Sequence, residues 1–288
     1  PLEVASDQTP LVGGAAPVVA AAATPLAAVP ANQPMPANSP ATDPAAALAA
    51  GGSQVDWAAI APMDVITDEI TGLRNDLTAK LNTLATYNQN WENIGVDATE
   101  LAALAGVVER HPGDVSWKAN AKIARTLAAE ISSNAAKTGR TAYDATKAPF
   151  DNLVDLMNGN APGDVQADDQ APFGDFADRG VLMAKLESNL NFAKSNITTQ
   201  QRLEENPDEI KRRMTVLATL MTIVSTDSYD STSEADYKGF VKQFVSSALQ
   251  GREAVDAKNL EAFTTAVNDM QKTCNECHLK YAFGGSSF

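Results

Sequence analysis

The sequence predicts an all-α protein: two tandem antiparallel four-helix bundles preceded by an extended Pro/Ala-rich N-terminal segment. Three observations predict it. Apolar residues recur at spacings of three and four over long stretches, the period of one helical face. Hydrophobic residues make up 44% of the chain and aromatics only 6%; Ala supplies much of the rest, which favours packed helices over sheet. The periodic stretches, separated by Pro-, Gly- and Asp-rich breaks, fall into two groups of four.

Residues 1–56 stand apart. They hold nine of the chain's 15 prolines, as in PANQPMPANSPATDP (30–44), and no Lys or Arg. Such a stretch buries too little apolar surface to offset its ordering entropy, so a tether or a partner-docking segment is expected. No basic and apolar leader opens the chain, which starts at Pro1, so a processed chain is expected, and a tether suits a lipid anchor upstream of Pro1.

The first helix is read in ITDEITGLRNDLTAKLNTLATY (66–87), where Ile66, Ile70, Leu73, Leu77, Leu81 and Leu84 share a face. ATELAALAGVVER (98–110) is the second, stopped before His111-Pro112, which places His111 in an exposed loop. DVSWKANAKIARTLAAEISSNA (114–135) is the third. TAYDATKAPFDNLVDLMNG (141–159) is the fourth, with a kink at Pro149 and a stop at Gly159. Together 57–159 form one bundle. The Gly/Pro/Asp-rich stretch 160–176 reads as an acidic linker. Helices over about 177–204, 207–226, 234–251 and 257–283 make a second bundle within 177–288.

Four plus four invites a test for an internal repeat. Setting Trp117 on Tyr237 brings Ala128 onto Ala248, Phe150 onto Met270, and Val154–Asn158 onto Cys274–His278. The second helices align with Leu101 on Leu217 and Val108 on Val224, the first with Leu73 on Leu186 and Ile70 on Met183. The registers differ by loop-sized amounts, as in a duplication whose first copy lacks the motif of the second.

That motif is CNECH (274–278). It contains both cysteines of the chain and one of its two histidines. C-x-x-C-H is the spacing of covalent haem attachment. On a helix Cys274, Cys277 and His278 stand at i, i+3 and i+4, so two thiols reach one porphyrin while the imidazole reaches the iron. A structural zinc site needs four ligands, and the only other histidine, His111, lies in the other repeat. A thioredoxin-like pair belongs beside a βαβ pattern, which is absent.

The stretch ADYKGFVKQFVSSALQGREAVDAKNLEAFTTAVNDMQKTCNECHLKY (235–281), with C-x-x-C-H on a last helix followed by an aromatic, resembles cytochrome c′ and its methionine-ligated low-spin relatives. The resemblance extends less specifically over 177–283. It implies one covalently bound haem c, held through Cys274 and Cys277, with His278 as proximal iron ligand and Tyr281 against the porphyrin edge. The family reads C-H-x-x-[YF]-R, whereas Ala282 follows Tyr281 here; Lys280 or Lys272 is the substitute cation. The sixth ligand of low-spin members comes from the first helix of the bundle, which in GVLMAKLESNL (180–190) designates Met183. Met214, Met221 and Met270 are assigned to packing.

The expected function is single-electron transfer by a monohaem cytochrome embedded in, or tethered to, a larger assembly. The alternatives are a gas-binding protein with an open distal site and a mainly structural subunit. No Ser-His-Asp set, phosphate loop or catalytic carboxylate pair stands out, so enzymatic turnover is not expected. A net charge of -14 argues against nucleic acid and for redox protein partners with positive surfaces, within or beside a membrane-associated complex. No apolar run is long enough to span a membrane. Covalent haem attachment of this family implies export to a periplasm or a periplasm-facing surface.

Overall fold

The computed structural model describes residues 55–281; the expected tether over 1–54 and the tail 282–288 lie outside them. Among the described residues the protein is all helical, without a strand. The α-helices are α1 (Trp57–Ile60), α2 (Met63–Lys80), α3 (Leu84–Arg110), α4 (Ala121–Asn134), α5 (Arg140–Met157), α6 (Arg179–Asn196), α7 (Gln200–Glu205), α8 (Pro207–Ile223), α9 (Ala235–Asp256) and α10 (Leu260–Tyr281). No helix among them is long and apolar enough to cross a membrane.

The stripe of α2 buries Ile66, Ile70, Leu73 and Leu77 as its spacing requires. The helix ends at Lys80, earlier than the stripe suggests. Thr83 and Thr86 cap the start of α3 reciprocally, each side-chain oxygen accepting from the other's backbone N–H. Within α5, Pro149 has no N–H for the Ala145 carbonyl. The Asn134 side-chain amide donates to that carbonyl instead, at 3.0 Å, and the helix runs on to Met157.

Side-chain bonds at the helix ends fix the directions. Tyr143 donates to the Leu81 carbonyl and Tyr87 to that of Lys137, which gathers the α2/α3 and α4/α5 connections at one end. At the other end His111 contradicts its expected exposure: it is 4% exposed. Its Nδ1 accepts the Gly113 N–H at 2.8 Å, so Nε2 carries the proton and donates to the Ala61 carbonyl at 3.0 Å. A ring with both nitrogens satisfied is stable in the core, which the preceding sequence pattern does not reveal. In the second half Tyr229 donates to the Ala177 carbonyl at 2.8 Å, closing the corresponding end.

Helices α2 to α5 pack successively, as do α6, α8, α9 and α10, with α10 returning to α6. Between the halves, α3 packs on α6 and α2 on α8. The middle helices α3 and α8 are therefore covered on every side, and 97–108 and 214–224 are buried without interruption.

Buried positions of the two halves match over long runs. Trp57, Ala61, Ile66, Leu77 and Ala98 correspond to Phe173, Ala177, Leu182, Ala193 and Met214; Trp117, Ala124 and Ala128 correspond to Tyr237, Phe244 and Ala248. Two helices differ from the sequence register by one turn. Ile70 corresponds to buried Leu186, which leaves Thr67 opposite Met183; Phe150 and Leu153 correspond to Val267 and Met270, which sets Met157 on Cys274. Apolar stripes match nearly as well three residues apart, and only burial separates the registers.

The stretch 160–176 is strapped to the first half at its C-terminal end. Arg125, 2% exposed, donates to the Asp168 carbonyl at 2.5 Å, pairs with Glu109 and lies over the Phe176 ring at 5.0 Å. Arg110 donates to the Ala171 carbonyl at 2.6 Å, and Glu109 accepts the Gln170 N–H at 2.6 Å. A Cβ on Gly106 would stand 2.9 Å from the Phe176 ring, so only glycine lets this strap close on α3.

A charged cluster lies where α3 meets α6. Lys185 stands 3.1 Å from Asp97 and 2.8 Å from Glu100, and Lys80 also pairs with Asp97. Glu100 is fully buried; the Lys185 ammonium lies off the hydrogen-bonding direction of Oε2, and Oε1 has no partner. Burial pushes the Glu100 carboxyl up to about 7, the Lys185 charge opposing. Burial also works against the Lys185 charge, but Glu100 and Asp97 outweigh it and hold the ammonium protonated. Between pH 4.5 and 7 the folded chain keeps a proton on Glu100 that the unfolded chain has lost. Stability from this group therefore falls as pH rises through that window, by about 3 kcal/mol in all, and is level above it. Denaturant titrations at a series of pH values should show this fall in the wild type and not in Glu100→Gln.

Candidate functional site

The last two turns of α10 carry Cys274, Cys277, His278 and Tyr281. Helical period decides their surroundings. Phe263, Val267, Met270 and Thr273 face the core, and the same stripe continues into Cys274, Cys277 and Tyr281, which are half-buried against it. His278 lies off the stripe and is exposed, as is its neighbour Leu279, the one exposed large hydrophobic side chain among the described residues, at 72%.

Both thiols are free. Burial pushes Cys274 up to about 11, reinforced by Cys277 and Glu187, and raises Cys277 against the opposing charge of Arg179. Neither thiol is activated in the way that the depressed thiolate of a redox pair is. Among the described residues no group of three or more His, Cys, Asp and Glu side chains converges as a metal site.

The facing helix is α6. Asp178 caps it by accepting the Val181 N–H. Lys194 bonds Gln271 at 2.9 Å near its far end, while the Arg179 charge acts on Cys277 and that of Glu187 on Cys274. Helix α6 packs on α10, and Met183 lies on it one turn from both Arg179 and Glu187. Met183 is half-buried and packed on the core. Met214 and Met270 are fully buried in the core and Met221 nearly so.

Tyr281 is held edge-on by Tyr237 and Phe240, with centroids at 5.4 and 6.4 Å, and its hydroxyl donates to Glu234 at 3.1 Å. Lys280 pairs with Asp236, and Lys272 stands 3.9 Å from Glu276. The two cations read as substitutes for the absent arginine are therefore both engaged with carboxylates. The cation whose charge acts on Cys277 is Arg179, which lies over Tyr237 at 5.3 Å and donates to the Asp230 carbonyl at 3.0 Å. Sequence reading missed Arg179 and Tyr237, although Tyr237 already stood opposite Trp117 in the repeat.

The donor set suits a haem attached through two thioethers. Two half-buried thiols and an exposed imidazole occupy little more than one helical turn, and a thioether stands on the adjacent helix. Comparison with protein-family models, with curated proteins and with solved structures found no match.

Proposed function

We propose that the chain is a c-type monohaem cytochrome of cytochrome c′ type that carries single electrons as a tethered or embedded subunit of a larger electron-transfer assembly. In this reading the two halves are tandem four-helix bundles, the first without haem. Cys274 and Cys277 would hold the porphyrin, and His278 and Met183 would ligate the iron. The observation that carries the reading is the C-x-x-C-H turn on α10, with Met183 on the adjacent helix α6.

A haem held there supplies a one-electron iron couple whose potential a thioether ligand raises relative to a second imidazole. The chain's residues do the rest. The core behind Cys274 and Cys277 keeps one face dry, and Tyr281, fixed by Glu234, Tyr237 and Phe240, closes the end. Exposed Leu279 gives a redox partner an apolar contact, and the net charge of -14 favours a partner with a positive surface. Maturation of such a site belongs to an exported chain facing a periplasm.

Denatured-protein mass should exceed that of the polypeptide by one haem, and the reduced protein should show the sharp bands of six-coordinate iron. Met183→Ala should keep the haem attached and turn the spectrum high-spin. A wild type that is already high-spin and binds carbon monoxide readily would replace electron transfer by the gas-binding reading.

A further inference from the structure

The contacts between the halves obey a two-fold relation. If 57–108 correspond to 173–224, the packing of α2 on α8 is the counterpart of α6 on α3, and both occur. Trp57 and its counterpart Phe173 touch each other, with ring centroids at 5.8 Å. A residue that meets its own counterpart marks the axis of an isologous interface, the kind through which identical subunits pair.

The charges along this interface break the symmetry. Glu69 on α2 pairs with Arg212 on α8 at 3.2 Å, and Lys185 on α6 pairs with Asp97 on α3 at 3.1 Å. In the matched register Glu69 corresponds to Lys185, and Val96-Asp97 to Arg212-Arg213. Equivalent positions on α2 and α6, and positions one residue apart on α3 and α8, thus form the two ion pairs, with the signs exchanged. Two first halves in this geometry would bring Glu69 against Asp97. Two second halves would bring Lys185 against Arg212 and Arg213. Only the mixed pair is complementary, and like charges at a partly buried contact work against the alternatives.

We propose that the interface between the halves is a two-fold, dimer-like interface closed within one chain: the first half covers this face of the second half, and the charges exclude a second copy of either half from that place. The first half is then a permanent, orientation-specific partner of the half that bears Cys274, Cys277 and His278. This rests on the duplication in the proposed function and not on the haem, and its test reads association alone.

The test uses the full-length chain with a protease recognition sequence inserted after Gly163, in an exposed stretch. After cleavage of the folded protein, native mass spectrometry should find one particle holding one copy of each fragment. Glu69→Lys with Asp97→Lys should weaken fragment association at least tenfold at low salt. Lys185→Glu with Arg212→Glu should do the same, which covers the case in which the first pair of exchanges fails to fold. Wild-type fragments that separate, or that each pair with their own kind, would overturn the proposal. So would charge-reversed chains whose fragments hold together equally well, because the strap at Arg110 and Arg125 would then suffice.

Discussion

Arg125→Met should lower stability by about 3–5 kcal/mol, seen as a shift of the denaturant midpoint with the native helix content retained below it. The size follows from what stays behind. Glu109 would keep a largely buried carboxylate that has lost its closest cation, and removal of one partner from a buried pair costs far more than the pair contributes. The Asp168 carbonyl would lose its 2.5 Å donor and the Phe176 ring its guanidinium. Arg110 remains on Glu109 at 3.4 Å and on Ala171, so the strap should loosen before the helices do. A loss under 1 kcal/mol would show that the strap contributes little to the first half.

The second large effect concerns the cofactor. Replacing both Cys274 and Cys277 by Ser should abolish haem that survives denaturation, so that the denatured mass equals that of the polypeptide. Far-ultraviolet circular dichroism of the apo-chain should stay unchanged. The thiols only border the core, whereas Phe263, Val267 and Met270 behind them build it. Retained covalent haem in the double variant would defeat the assignment, and a collapse of helicity would assign the cysteines to the core instead.

Helices were readable wherever an apolar stripe was strict. Ile66, Ile70, Leu73, Leu77 and Leu81 are all buried as their spacing requires. The break after Lys80 was hidden by that same spacing, because Leu81 ends one helix and Leu84 opens the next while the periodicity continues across them. Its signal was Thr83 with Thr86, a capping pair without the usual Glu or Gln. Burial of His111 depends on the Ala61 carbonyl, fifty residues distant, and no local pattern encodes such a contact. The cysteines and His278 could be read because their spacing lies within one helical turn. Arg179 could not, since only the packing of α6 on α10 brings it to Cys277.

The end of α5 has a consequence for that asymmetry. Matched by burial, Met157 stands where α10 has Cys274, and Asn160 and Ala161 stand where it has Cys277 and His278. Yet α5 stops at Met157, and Gly159 turns the chain away at a φ of 97°. The first half therefore lacks a stretch of backbone and not merely three side chains. Point substitutions cannot furnish it with a second attachment site; an insertion that prolongs the helix is needed first. In the proposed reading, one prosthetic group per chain is set by where a helix ends.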